Sequence, residues 1–134
     1  MTIGWGNFGF IWGKRIFTML IRQSRFTHYL IEKNQVFTVS VPLTDDFKKA
    51  LVICGTKSGR NTDKYKEAAI TAAPAQTVDA PIILGCGLHI ECLVVDRRTM
   101  GPDAFDAELA KKCYADDDWH TYYARLITAA YIEK

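Results

Sequence analysis

An apolar run from Ile16 to Ile21 ends directly in Arg22-Gln-Ser-Arg-Phe-Thr27, and this junction constrains the chain more than any other stretch. The run has the length and residue types of a strand. Phe26, Tyr29 and Leu30 then recur at i, i+3 and i+4, the spacing of a helix with one buried face. Strand must therefore give way to helix within a few residues, and Ser24 is a natural N-cap for the turn. A helix N-terminus carries unpaired N–H groups and a partial positive charge. Guanidiniums from Arg22 and Arg25 and hydroxyls from Ser24 and Thr27, gathered there, make a seat for a phosphate group. The other reading of the same residues is a capped helix with solvated arginines.

Around this junction the pattern is mostly that of strands. Residues 2–12, with Trp5, Phe8, Phe10 and Trp12, read as one or two short strands, and Gly13-Lys14 as a turn before a strand over Arg15 to Ile21. A helix over 25–33 stops at Asn34, and Val36 to Val41 alternates as a strand that Pro42 ends. Thr44 caps a second helix, with Asp45 and Asp46 in its first turn and Phe47, Ala50, Leu51 and Ile53 on its inner side. Cys54 to Asn61 is a polar, glycine-bearing loop, and Thr62 caps a short helix from Asp63 to Ala69. Thr77 to Leu84 is extended around Pro81, and Leu88 to Val95 is a strong strand. A helix over 103–112 and an acidic, solvated turn at Asp116 to Asp118 precede a closing strand over Tyr122 to Ile132. Hairpin-like spacing with a few short helices predicts a mainly β fold, a small barrel with helical inserts.

Composition narrows the partners. At 134 residues the chain fits one domain, and no repeat or linker divides residues 1–134. A net charge of +2 is too small to argue for nucleic acid or for an anionic membrane surface. The glycine-interrupted start has no basic n-region, so neither a signal peptide nor a membrane span is expected, and a cytoplasmic location is the default. Cys54, Cys86, Cys92 and Cys113 show no metal-type spacing and read as reduced, small buried hydrophobes.

Catalytic motifs are sparse. His28 reads as a packing or surface residue and His89 as structural, within a strong strand. His120, beside Trp119, Tyr122 and Tyr123, is a candidate contact to a planar ligand. The three are too scattered for a metal site, so none is expected. There is no G-x-S-x-G elbow, and Gly55 to Gly59 lacks the G-K-[ST] ending of a phosphate-binding P-loop.

Three pieces, Met1-Thr-Ile-Gly-Trp5, Arg22-Gln-Ser-Arg-Phe-Thr27 and Cys54-Gly-Thr-Lys-Ser-Gly-Arg-Asn-Thr-Asp-Lys-Tyr65, together resemble the flavin reductase-like family of FMN-binding split barrels, in its flavoredoxin-like form. Phe37-Thr-Val-Ser-Val-Pro42, Asp79-Ala-Pro81 and Leu88-His-Ile-Glu-Cys92 match the family in order and spacing. The resemblance implies a Greek-key split β-barrel, a homodimer, and FMN held non-covalently near the subunit interface. By that resemblance Arg22, Ser24, Arg25 and Thr27 hold the FMN phosphate, and Thr2, Ile3, Gly4 and Trp5 run along the isoalloxazine edge. Ser58, Gly59 and Arg60 form a loop near the flavin, Lys64 reaches its ring or phosphate, and His120 is the candidate contact to flavin or nicotinamide. The family has a first strand before this Met-Thr-Ile, so a barrel lacking that strand, with an unpaired edge, is expected here.

The activity so implied is hydride transfer from NADH or NADPH to flavin, with electrons passed on to free flavin or a redox partner protein. The cofactor carries that chemistry, so no catalytic side chain is required. Two other readings stand beside it: a flavoredoxin-like electron-transfer or flavin-binding module without NAD(P)H turnover, and a non-flavin binding barrel that uses Arg22, Arg25 and exposed aromatics on RNA.

Overall fold

The computed structural model describes Met1 to Glu133. Strands β1 (Gly6–Ile11) and β2 (Lys14–Arg22) form a hairpin. Its loop residues Trp12 and Gly13 both take positive φ, 55° and 68°, as a two-residue hairpin turn twisted to match its strands requires. β2 pairs with β7 (His120–Ile132), β7 with β6 (Gly87–Thr99) and β6 with β3 (Val36–Pro42), all antiparallel. The sheet order is β1-β2-β7-β6-β3. A separate short hairpin joins β4 (Ala72–Pro74) to β5 (Pro81–Ile83). Helices α1 (Phe26–Asn34), α2 (Lys48–Thr56), α3 (Lys64–Glu67) and α4 (Ala107–Cys113) fill the connections, with one-turn 3₁₀ segments at Asp45–Phe47 and Pro102–Ala104.

Strand alternation sorts the two faces of the sheet. Phe17, Met19 and Ile21 of β2, Phe37 of β3, Ile90 and Cys92 of β6 and Tyr123 of β7 point to one side and pack with Ile31 of α1 as the core. The opposite face of β3, β6 and β7 carries Thr38 and Ser40, His89 and Glu91, and Tyr131. His89 and Glu91 are nonetheless fully buried, because the segment containing β4 and β5 lies over them. The register shift between Glu91 and Cys92 leaves Thr128 unpaired, so Ile127 faces the core while Ala129 and Tyr131 turn outward.

This polar row fastens the covering segment. The Glu91 carboxylate accepts the backbone N–H groups of Gln76 (2.7 Å) and Thr77 (2.6 Å) and the hydroxyls of Thr77 and Tyr131. Thr38 donates to the carbonyl of Pro81, and Ser40 accepts from the amide of Ile83. One buried charge has no such bond among the described residues: all three guanidinium nitrogens of Arg125 lack a hydrogen-bond partner. Arg125 lies instead 4.0 Å from the ring centre of Tyr123 and 4.7 Å from that of Phe37. Burial pulls its pKa down to about 10, so it stays charged at neutral pH and is stabilised by the two aromatic faces.

Most strand and helix positions agree with the sequence reading, which did not foresee β4, whereas several caps and loop bounds differ. Ser24 does not cap α1; the N-cap is Arg25, and no side chain makes the capping bond. The helix includes Asn34 and stops at Gln35, which takes the left-handed conformation. The loop expected from Cys54 begins only at Lys57, because α2 runs through Thr56. Asp63, not Thr62, caps α3, with its carboxylate on the amides of Tyr65 and Lys66. Leu51, expected inside, is exposed, and α4 starts later than position 103 because Pro102 first makes a 3₁₀ turn. β1 and β3 each have a partner in the sheet on one side only.

Burial alone would raise the Glu91 pKa; the four donors outweigh it and hold the carboxyl below its usual range. A carboxyl depressed in the folded state adds stability above its unfolded pKa of about 4.3, and this is lost as pH falls through the folded value. Glu91→Gln leaves one of the two backbone amides facing an NH₂ group. It is expected to cost about 1–3 kcal/mol at pH 7, with a smaller difference from wild type near pH 3, read by urea denaturation at the two pH values.

Candidate functional site

A cleft of about 720 Å³ opens between the first turn of α1, α2 and the loop at residues 57–63, and reaches β3 at Ser40 and Pro42. Small-molecule sites occupy roughly 300–1,000 Å³. Its lining includes the basic residues Arg25, Lys57, Arg60 and Lys64, and Asp63 is the acidic one. The Asp63 carboxylate is engaged by the α3 amides, so the wall is cationic.

Each basic group is held differently. Arg60 lies over the Phe26 ring (5.4 Å) and donates from Nη1 to the carbonyl of Ser24 (3.0 Å), tying the loop to α1. Ser58 Oγ accepts from the amide of Arg60 (3.2 Å) and so shapes the turn. Lys64 Nζ donates to the carbonyl of Cys54 (2.8 Å), and Lys57 pairs with Glu67. Arg25 is the exception: its exposed guanidinium has no hydrogen bond or ion pair among the described residues. It stands where α1 presents its first N–H groups, beside Thr27. Two glycines keep the walls close. A Cβ at Gly55 would stand 2.7 Å from Thr2 Oγ1, and one at Gly59 3.1 Å from the Phe26 ring.

The residues predicted from sequence fall into two groups. Thr2, Ser24, Arg25, Thr27, Ser58, Gly59, Arg60 and Lys64 all line the cleft. Ile3 packs against the core, Gly4 is exposed, and Trp5 sits on His120 with ring centres 4.9 Å apart. Arg22 is also outside the lining, and its charge is engaged. Nη1 bonds both carboxylate oxygens of Asp116 (3.0 and 3.1 Å) and the carbonyl of Asp118 (2.9 Å), and Nη2 donates to the carbonyl of Cys113 (2.8 Å). Asp118 in turn accepts from the amide and hydroxyl of Ser24 (3.1 and 2.6 Å). The acidic turn read as solvated is therefore the clamp on the strand–helix junction. Sequence reasoning missed it because ninety-odd residues separate the partners.

His120 belongs to this second cluster. Its Nδ1 lies 2.8 Å from the Tyr114 hydroxyl, and Tyr114 stacks on Trp119 at 4.2 Å. Burial, reinforced by the nearby Arg22 charge, lowers the His120 pKa, so the ring is neutral at physiological pH. His28 bonds Thr121 through Nε2 (2.9 Å). The cysteines are free thiols, and burial pushes Cys92 up to about 12, which makes it inert. Among the described residues no group of three His, Cys, Asp or Glu side chains is placed to hold a metal, and no helix is long and apolar enough to cross a membrane.

An antiparallel sheet of five strands with a cationic cleft beside its first helix defines a small β-fold with helical connections. The flavin reductase like domain matches residues 15–131, and the chain belongs to that family, with its split-barrel fold. An uncharacterised protein of Archaeoglobus fulgidus is 36% identical over 75 residues, covering 56% of this chain and 42% of that protein. The chain thus spans less than half the length of that curated relative. Among solved structures, flavoredoxin of Desulfovibrio vulgaris aligns with all of this chain and 61% of its own at a TM-score of 0.77 and 19% identity. The FMN-binding protein of Thermus thermophilus, with bound p-hydroxybenzaldehyde, aligns with 97% of this chain and 61% of its own, at 0.73 and 23%. At these identities the likeness is one of fold.

The two arginines of the junction should separate by stability. Arg22→Ala removes bonds to two backbone carbonyls and a carboxylate and is expected to cost about 1–3 kcal/mol. Arg25→Ala is expected to stay within about 0.5 kcal/mol of wild type in the same denaturation experiment.

Proposed function

We propose that the protein is an FMN-binding oxidoreductase that takes reducing equivalents from NADH or NADPH and passes them to free flavin or a redox partner protein. The observation that supports it most is the cationic cleft with an uncommitted Arg25 at the start of α1, in a chain of the flavin reductase like domain family. The names of structures with this fold, a flavoredoxin and an FMN-binding protein, point the same way.

The donor set suits a phosphate monoester. Arg25 and Arg60 supply guanidiniums, Thr27 and Ser58 hydroxyls, and α1 its first N–H groups, all along one wall. Thr2, Gly59 and Lys64 border the remaining volume. Bound FMN supplies hydride and electron chemistry that side chains lack. The protein's task is then to bind, orient and shield, and Arg22 contributes by bracing the junction that carries Ser24 and Arg25.

We further propose a homodimer formed through the β1 hairpin. Phe8, Phe10 and Trp12 are 61%, 73% and 62% exposed on a strand with one open edge. From Gly4 to Gly13 the hairpin has no charged side chain, so two copies meet without like-charge repulsion. A two-fold axis lets one such surface serve both subunits.

Arg25→Ala combined with Arg60→Ala is expected to weaken FMN binding by at least about a hundredfold, read by flavin fluorescence quenching, since each charge-assisted bond contributes about 1.5–3 kcal/mol. Unchanged affinity would remove the phosphate seat from the proposal. Oxidation of NADH or NADPH is expected when FMN is added; bound flavin with no oxidation of either would mark an electron-transfer module instead. Phe10→Asp with Trp12→Ser is expected to give a monomer in light scattering where the unaltered chain gives a dimer.

A further inference from the structure

Ser40, His89 and Glu133 form a continuous hydrogen-bonded line outside the proposed phosphate seat. Ser40 on β3 and His89 on β6 are direct cross-strand partners. Ser40 Oγ lies 3.0 Å from His89 Nδ1, and His89 Nε2 lies 3.1 Å from Glu133 Oε2. His89 is fully buried, the Glu133 side chain is 28% exposed, and Ser40 lines the cleft. The line therefore runs from the protein surface, through a buried imidazole, to the cleft wall.

The chemistry of the three groups allows two states. Ser40 Oγ already accepts the amide of Ile83 (3.0 Å). With His89 neutral, its Nε2–H donates to Glu133 and the Ser40 hydroxyl donates to the bare Nδ1. With His89 protonated, Nδ1–H donates to Ser40 Oγ, which then has its own hydrogen free to face the cleft. Glu133 also accepts from the amide of Gly85 (2.8 Å). The bond to His89, with this amide bond second, holds the Glu133 carboxyl below its ordinary range. Glu133 thus remains an anion able to stabilise the imidazolium. The other titratable groups nearby are Glu91, two positions along the same face of β6 and held as an anion by its own donors, Tyr131, whose hydroxyl donates to Glu91, and Cys86, whose thiol is pushed up by burial and by Glu133. Tyr131 and Cys86 are uncharged, and the Glu91 charge favours the imidazolium as Glu133 does.

We propose that Ser40, His89 and Glu133 are a proton relay between solvent and the ligand in the cleft, with Ser40 the group that gives or takes the proton. In the accepting direction the ligand's proton bonds to Ser40 Oγ while the serine hydroxyl proton passes to Nδ1. The Nε2 proton then leaves through Glu133 to water, which leaves the imidazole neutral but as the Nδ1–H tautomer until a delivery step returns it to Nε2–H. Delivery is the reverse, so protons balance and no oxidant or further reactant is needed. His89 and Glu133 act through Ser40 and are positioning residues. The relay rests on the cleft being the FMN site.

Histidine-labelled ¹⁵N NMR of the full chain tests it, with FMN fluorescence followed on the same samples. In the FMN-free protein His89 is expected as the Nε2–H tautomer, and Glu133→Gln should shift its Nε2 resonance. Saturating FMN should move the His89 Nδ1 resonance, because a ligand on Ser40 favours one of the two states. Ser40→Ala should abolish the movement. An Nδ1–H tautomer that Glu133→Gln does not disturb overturns the relay without reference to FMN. Quenched fluorescence with unmoved His89 resonances overturns it while the FMN site stands. Fluorescence unchanged at every FMN concentration removes the FMN site, and the relay to that ligand with it.

Discussion

A single buried carboxylate, Glu91, settles how the sheet is covered. It stands on the face of β6 that alternation turns away from the apolar core, where an unpaired charge would cost several kcal/mol. Two backbone amides and two hydroxyls from Gln76, Thr77 and Tyr131 satisfy it, and in doing so they fix the segment that closes this face. The same cover brings the Ile83 amide to Ser40 and the Gly85 amide to Glu133. One side of the sheet is held by dispersion and burial, the other by a row of directional polar bonds. The cleft opens where that polar side meets α2 and the start of α1.

The strand–helix junction shows a division of labour between neighbouring like residues. Arg22 and Arg25 are three positions apart and carry the same group. Arg22 points to the acidic turn that brackets β7 and is engaged there, whereas Arg25 caps α1 and faces the cleft. A guanidinium fully engaged by its own chain is a brace; one left open beside helix N–H groups is free to meet an anion. The clamp on Arg22 and Ser24 keeps the backbone of the junction in place, so the open groups need little reordering when a ligand arrives.

Much of this was legible in sequence because it is local. The run Ile16 to Ile21, the i, i+3, i+4 spacing of Phe26, Tyr29 and Leu30, and the alternation of Val36 to Val41 each report a short-range period, and each became the element expected. The cleft lining was also largely legible, through ordered motifs around Ser24, Ser58 and Lys64. Caps were less so: Ser24 and Thr62 have the right chemistry, yet Asp118 took the hydroxyl of the first and Asp63 pre-empted the second. His89 read as structural and Glu91 drew no attention, since nothing near either shows what crosses the strand to meet it.

Periodicity and turn chemistry thus determined most strands and the order of the elements, and the ordered motifs carried the resemblance to the family, since these depend on residues close together in the chain. Which arginine stays free, which carboxylate is buried, and whether a serine meets a histidine were decided only in three dimensions. Those outcomes depend on pairing register, on the bulge at Thr128 and on contacts between residues forty to ninety positions apart. Hydrogen bonds and charges act over a few ångströms of space, and sequence separation carries no record of that distance until the sheet has closed over its partners.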